Sequence, residues 1–68
     1  MKFIEVSQIL LDQKIKKIFI NVDDIRFFGE NVKNKFHTDI TFKDGSAIEI
    51  QLGIDNFIDD LKNENTAK

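Results

Sequence analysis

Apolar and polar residues alternate in short runs through the first fifty positions, and the spacing then changes to that of a helix. Side chains along a strand point to opposite faces in turn, so a period of two predicts half-buried strands. Lys2–Ser7 sets Ile4 and Val6 against Phe3, Glu5 and Ser7. Lys16–Val22 sets Ile18, Ile20 and Val22 against Lys17, Phe19 and Asn21. The run Asn21-Val22-Asp23-Asp24 predicts a tight turn, because Asn and Asp side chains bond nearby backbone groups. Ile25–Gly29 follows as a short strand, with Ile25 and Phe27 inward and Arg26 and Phe28 outward. Phe36–Phe42 and Ser46–Leu52 are the clearest strands.

Parity selects the turn between those two. A two-residue Asp44-Gly45 loop would pair Ile40 with Glu49 and mismatch the apolar sets. A three-residue Lys43-Asp44-Gly45 loop, with Gly45 in the left-handed region, pairs Phe42 with Ser46 instead. It then pairs Ile40 with Ile48, Thr38 with Ile50 and Phe36 with Leu52, giving one apolar face. The opposite face carries Thr41 with Ala47, Asp39 with Glu49 and His37 with Gln51.

After Gly53, the residues Ile54, Phe57, Ile58 and Leu61 fall on one helical stripe, while Asp55, Asp59 and Asp60 fall on the other side. A helix of about ten residues is marginal alone and must pack on a sheet. The predicted class is α+β: an antiparallel sheet of four to five short strands with one C-terminal helix packed on one face. The expected core sets that helix on Ile4, Ile20, Phe36, Ile40, Ile48 and Ile50. One domain is expected over residues 1–61, with residues 62–68 a disordered tail whose one apolar residue is Ala67.

Composition narrows the function. The chain has 68 residues, no cysteine, and ten Lys and Arg against twelve Asp and Glu, for a net charge of −2. Without cysteine there is no disulfide frame, thiolate metal site or cysteine nucleophile. The N-terminal stretch is too polar for a signal peptide or membrane span, so a cytoplasmic location is expected. Domains of this size bury little surface and usually need a staple. With no disulfide and no obvious metal cage, oligomerisation is the remaining staple, and seven Phe with no Tyr or Trp are much apolar material for so short a chain.

Phe3-Ile4-Glu5-Val6, then Ile18 to Ile25 (IFINVDDI), then Asp39 to Ser46 (DITFKDGS) and the acidic helix resemble the small flagellar FlbD-like family and its phage and mobile-element relatives. The likeness covers most of residues 1–61. The chain departs from it in the inserted segment Gln8–Lys17 and in the longer loop around Asn31–Lys35. The resemblance implies a small non-enzymatic accessory protein and supplies no catalytic residue. A weaker likeness, through Val22 to Ile25 and the Asp-Gly hairpin, is to the LytTR-type DNA-binding module, which is larger and reads bases with basic loops.

Few residues invite chemistry. His37 is the one histidine and shares the outer face with Asp39, Glu49 and Gln51, which reads as a divalent-cation site or as a solvated face. Asp39 and Glu49 repel across strands unless something offsets them. Asp23-Asp24 and Asp59-Asp60 are adjacent pairs, better explained by a turn and by a wet helix face than by acid–base catalysis. There is no Gly-rich phosphate loop and no nucleophile elbow. No catalytic residue, metal or cofactor is expected.

The more telling set is Phe3, Phe19 and Phe28, all outward by alternation, with the consecutive run Ile9, Leu10 and Leu11. A contiguous apolar patch of this kind marks an interface. These residues imply a homo-oligomer, with a two-fold dimer first. The lysines Lys14, Lys16, Lys17 and Lys33 are the candidates for meeting an anionic ligand at its seam. The leading expectation is therefore a non-enzymatic, homo-oligomeric binding protein of phage or mobile-element type. It would occlude a host protein or sequester a small ligand such as a nucleotide, countering host defence. A flagellar accessory protein and a small nucleic-acid-binding regulator are the alternatives. The acidic balance disfavours nucleic acid.

Overall fold

The computed structural model describes residues 2–63. Five strands, β1 (Phe3–Ile9), β2 (Ile15–Asn21), β3 (Ile25–Glu30), β4 (Thr38–Phe42) and β5 (Ala47–Ile50), precede one helix, α1 (Ile54–Asn63). All pairings are antiparallel, in the order β2-β1-β5-β4-β3. The α+β class and the single sheet-covering helix are as the pattern predicts. Lys62 and Asn63, expected in a disordered tail, belong to helix α1; the rest of that stretch lies outside the described residues.

The order of strands carries the architecture. β2 and β3 are the two edges of the sheet, yet only the 3-10 turn Val22–Asp24 joins them. The Asn21 side chain caps that turn by accepting from Asp23 N at 3.0 Å. Val22 N donates to Lys2 O and Lys43 N donates to Asp24 O, both at 2.8 Å. The turn therefore ties the start of β1 to the end of β4. The β1–β2 ribbon pairs with the rest of the sheet only over a short stretch, at Gln8–Ile50 and Ile9–Glu49 with Ser7 O accepting from Gln51 N, which leaves the rest of it free to curl round. Inside the curl, Ile4, Val6, Ile20, Ile40, Ile50 and Phe57 are buried. Phe57, with no exposed surface, meets Phe28 edge-on, ring centroids 4.9 Å apart.

The β4–β5 hairpin has the register that parity requires: Ile40 opposite Ile48, Thr38 opposite Ile50, Asp39 opposite Glu49. Gly45 sits at φ 92°, where a β-branched residue would be strained. Phe42 N donates to Ser46 O at 2.8 Å, and Gly45 N to Phe42 O at 2.9 Å. The β1–β2 hairpin repeats this geometry. Leu10 N donates to Lys14 O at 2.8 Å, and Gln13 N to Leu10 O at 2.9 Å. Asp12 Oδ1 accepts from Lys14 N as Asp44 Oδ1 accepts from Ser46 N. Gln13, at φ 70°, takes the place of the glycine. The segment Gln8–Lys17 is thus the tip of an ordinary hairpin, which extends both strands beyond their predicted ends.

Two expectations fail. Phe28 does not point outward; it is partly buried against Phe57, and Phe27, expected inward, is 59% exposed. The cause is a bulge: Ile25 opposes Phe42 but Phe27 opposes Thr41, so Arg26 is an extra residue and alternation inverts beyond it. Phe36 is not in the core; it is 69% exposed, and β4 begins at Thr38. Asn34 takes up its backbone, with Oδ1 accepting from Phe36 N at 2.9 Å and the carbonyl from His37 N at 3.0 Å. The Phe36–Leu52 and His37–Gln51 pairs therefore do not form. The place beside Leu52 goes to Thr38, whose fully buried hydroxyl donates to Leu52 O at 2.7 Å.

Phe57→Ala is expected to cost about 3–5 kcal/mol, enough to unfold much of the population in a urea titration. Gln13→Gly is expected to raise the urea midpoint, since a left-handed non-glycine residue costs roughly 1–2 kcal/mol, part of which the added chain entropy of glycine cancels.

Candidate interaction surface

Registers assign every strand residue to a face. With Ile4, Val6, Ile18 and Ile20 inside, the outer face of the β1–β2 ribbon carries Phe3, Glu5, Ser7 and Ile9 beside Ile15, Lys17, Phe19 and Asn21. Ile9 opposes Glu49, so the face continues through Ala47 and Glu49 to Asp39, Thr41 and Phe27. The helix covers the concave side, and no described element covers this one. Phe3 is 51% exposed, Phe19 67%, and Ile15 and Leu11 are also exposed. Glu5 and Lys17 form one ion pair among the rings, at 3.1 Å.

Of the residues expected to form an interface, Phe3 and Phe19 lie on this face. Ile9, Leu10 and Leu11 line a groove of about 670 Å³ with Phe27, Thr41 and Ala47. Phe28 is excluded, being inside. Phe27 and Ile15 belong to the surface, and alternation alone does not single them out. The bulge hides Phe27, and Ile15 is revealed only by the hairpin in which Gln13 replaces the usual glycine.

One corner of the same face is polar and hydrogen-bonded within the chain. Asp39 and Glu49 oppose each other, as parity requires, and each has a donor. Asn31 Nδ2 donates to Asp39 Oδ1 at 2.8 Å; the His37 imidazole meets Glu49 Oε2 through Nδ1 at 2.6 Å. Asn34 Oδ1 is already occupied by Phe36 N, which leaves its Nδ2 to face His37 Nε2 at 3.3 Å. The network is satisfied by an imidazole carrying its hydrogen on Nδ1. These bonds offset the repulsion that would otherwise call for a bound cation. No group of three or more His, Asp or Glu that could hold a metal ion occurs among the described residues. The same bonds fix the loop from Asn31 to His37, where Asn31 Oδ1 also accepts from Lys33 N and Asn34 N, both at 2.9 Å.

The other carboxylates play local parts. Asp23 and Asp24 lie in the 3-10 turn, and Asp59 and Asp60 are exposed on α1. The Ser46 hydroxyl at 2.7 Å, with Ser46 N at 2.9 Å, holds the Asp44 carboxyl below the ordinary aspartate range. Asp44 borders a second cavity, of about 440 Å³, between Phe19–Asn21 of β2 and Phe42–Asp44. The four candidate lysines do not converge within one chain. Lys14, Lys16 and Lys17 belong to the β1–β2 hairpin, Lys14 and Lys17 paired with Asp12 and Glu5, whereas Lys33 lies in the loop after β3. No described helix is long and apolar enough to cross a membrane. Comparison with protein-family models, with curated proteins and with solved structures finds no match.

His37→Ala is expected to destabilise the fold by about 1–2 kcal/mol, because Glu49 loses its donor while still facing Asp39. Glu49→Gln keeps an acceptor and removes the repulsion, so its urea midpoint is expected to stay near that of the parent. The Asp44 resonance in a pH titration is expected to have its midpoint below that of an unfolded aspartate. A carboxyl depressed in the folded state adds stability above its unfolded value and loses it as pH falls through the folded one.

Proposed function

We propose that the chain is a non-enzymatic binding protein that works as a homo-oligomer and presents the uncovered outer face of its sheet as a contact surface. The observation that carries this reading is the row of exposed aromatic and aliphatic side chains, Phe3, Phe19, Ile15 and Phe27, on a face that no helix covers. A domain of this size gains little from one buried face. Apolar area given up by Phe3 and Phe19 against another chain would contribute about 25 cal/mol per Å². The polar groups suited to acid–base chemistry, His37, Asp39 and Glu49, are tied to each other or to asparagines, which supports a binding rather than a catalytic role.

Sedimentation of the parent chain at micromolar concentration is expected to give a species of at least twice 7.9 kDa. A parent chain that sediments as a monomer would overturn the reading.

A further inference from the structure

We infer that strand β2 is the seam of a two-fold dimer: its outward backbone edge pairs antiparallel with β2 of a second copy, in the register that sets Ile18 opposite itself. This inference rests on the self-association reading alone; edge pairing sets the outer faces of the two copies side by side as one continuous, uncovered surface.

The hydrogen-bond parity of the β1–β2 ribbon shows which groups are free. Val22 N bonds Lys2 O at one end and Leu10 N bonds Lys14 O at the other. Both pairs belong to the register of the ribbon, in which Ile4 opposes Ile20, Val6 opposes Ile18 and Gln8 opposes Lys16. Bonded and non-bonded pairs alternate in an antiparallel ladder. Counting from either end by twos therefore assigns the backbone groups of Lys16, Ile18 and Ile20 to β1, while those of Ile15, Lys17, Phe19 and Asn21 point away from it. The other side of β1 agrees: Ser7 O, of the opposite parity, accepts from Gln51 N at 2.8 Å on the β5 side. No strand among the described residues pairs with the outward edge of β2.

Only outward groups can bond a second copy, so outward residues must face outward residues. A two-fold axis then passes through a single residue of β2. An axis at Lys16 or Lys17 sets that lysine against its own copy, which like charge disfavours. An axis at Phe19 or Ile20 leaves the C-terminal part of the strand paired and the rest unused. An axis at Ile18 pairs the whole strand, Ile15 with Asn21 and Lys17 with Phe19. The lysines commonly placed on edge strands to discourage pairing here exclude the competing registers instead. On the outer face, this register also lays the Lys17 side chain of each copy beside the exposed Phe19 ring of the other, a favourable cation–aromatic contact.

The chain has no cysteine, so single cysteines report the register directly. In the inferred dimer Ile18 faces itself as a non-bonded pair with Cα atoms about 4.5 Å apart, within disulfide reach. I18C is expected to form a disulfide-linked dimer about tenfold faster than K17C or F19C, whose like residues are offset diagonally across the seam. Lys17→Pro removes an outward N–H without touching the β1 ladder, and is expected to abolish the dimer while leaving the circular dichroism spectrum intact. Faster crosslinking through K17C or F19C overturns the register. A Lys17→Pro chain that stays dimeric, or a dimer in which none of the three variants crosslinks, overturns the seam. Sedimentation of the parent chain tests self-association separately: a monomer there removes the reading itself.

Discussion

The short link between the edge strands governs the fold. Four strand-to-strand steps of about 4.8 Å would hold the edges of a flat five-stranded sheet about 19 Å apart. The chain from Asn21 to Ile25 reaches about 15 Å if fully extended, and a 3-10 turn spans roughly half of that. The sheet must curl for Val22–Asp24 to connect β2 to β3. The sparse β1–β5 pairing allows the curl, and the bonds of Val22 N to Lys2 O and Lys43 N to Asp24 O fix it. A curled sheet has one concave side, and a single ten-residue helix suffices to close it, with Phe57 as the plug.

The same constraint leaves the convex side bare. The described chain has one helix, and the concave side takes it. Alternation still places a side chain on the outer face at every second position, and several of those positions carry phenylalanine or isoleucine rather than charge. Near β4 and β5 the outer face is polar and internally satisfied. Along β1 and β2 it is apolar, with one Glu5–Lys17 pair. The two halves thus differ: the first is hydrogen-bonded to the loop from Asn31 to His37, and the second is exposed apolar surface.

Most of the sheet is legible in the sequence because its grammar is local. The Lys43-Asp44-Gly45 turn follows from parity alone, since a one-residue slip would put Glu49 against Ile40. The matching turn at Leu11-Asp12-Gln13 escapes notice because its left-handed residue is glutamine, although Asp12 repeats the role of Asp44. Phe27 and Phe28 exchange faces because nothing in the string IRFFG marks Arg26 as the extra residue of a bulge. Phe36 looks like a strand residue, and only the side chains of Asn31 and Asn34, bonding backbone close by in sequence, reveal a loop there. Of the candidate surface, Phe3 and Phe19 are readable because their strands have no bulge.

The placement of lysine on β2 connects these levels. An exposed edge strand invites pairing with any other strand, and charge is the usual deterrent. Lys16 and Lys17 stand next to each other, so they occupy both faces of β2 at nearly the same height. A partner strand of unrelated sequence meets charge on either face, with Glu5 compensating one of the two within the chain. A second copy of β2 has the same charges, and it escapes them only by shifting until each lysine lies opposite an apolar residue. The centre of the strand, Ile18, is the point about which both lysines do so with the full length paired. One pair of charges can thus oppose promiscuous edge pairing and still permit self-recognition, because a two-fold axis converts the position of a charge along a strand into a choice of register.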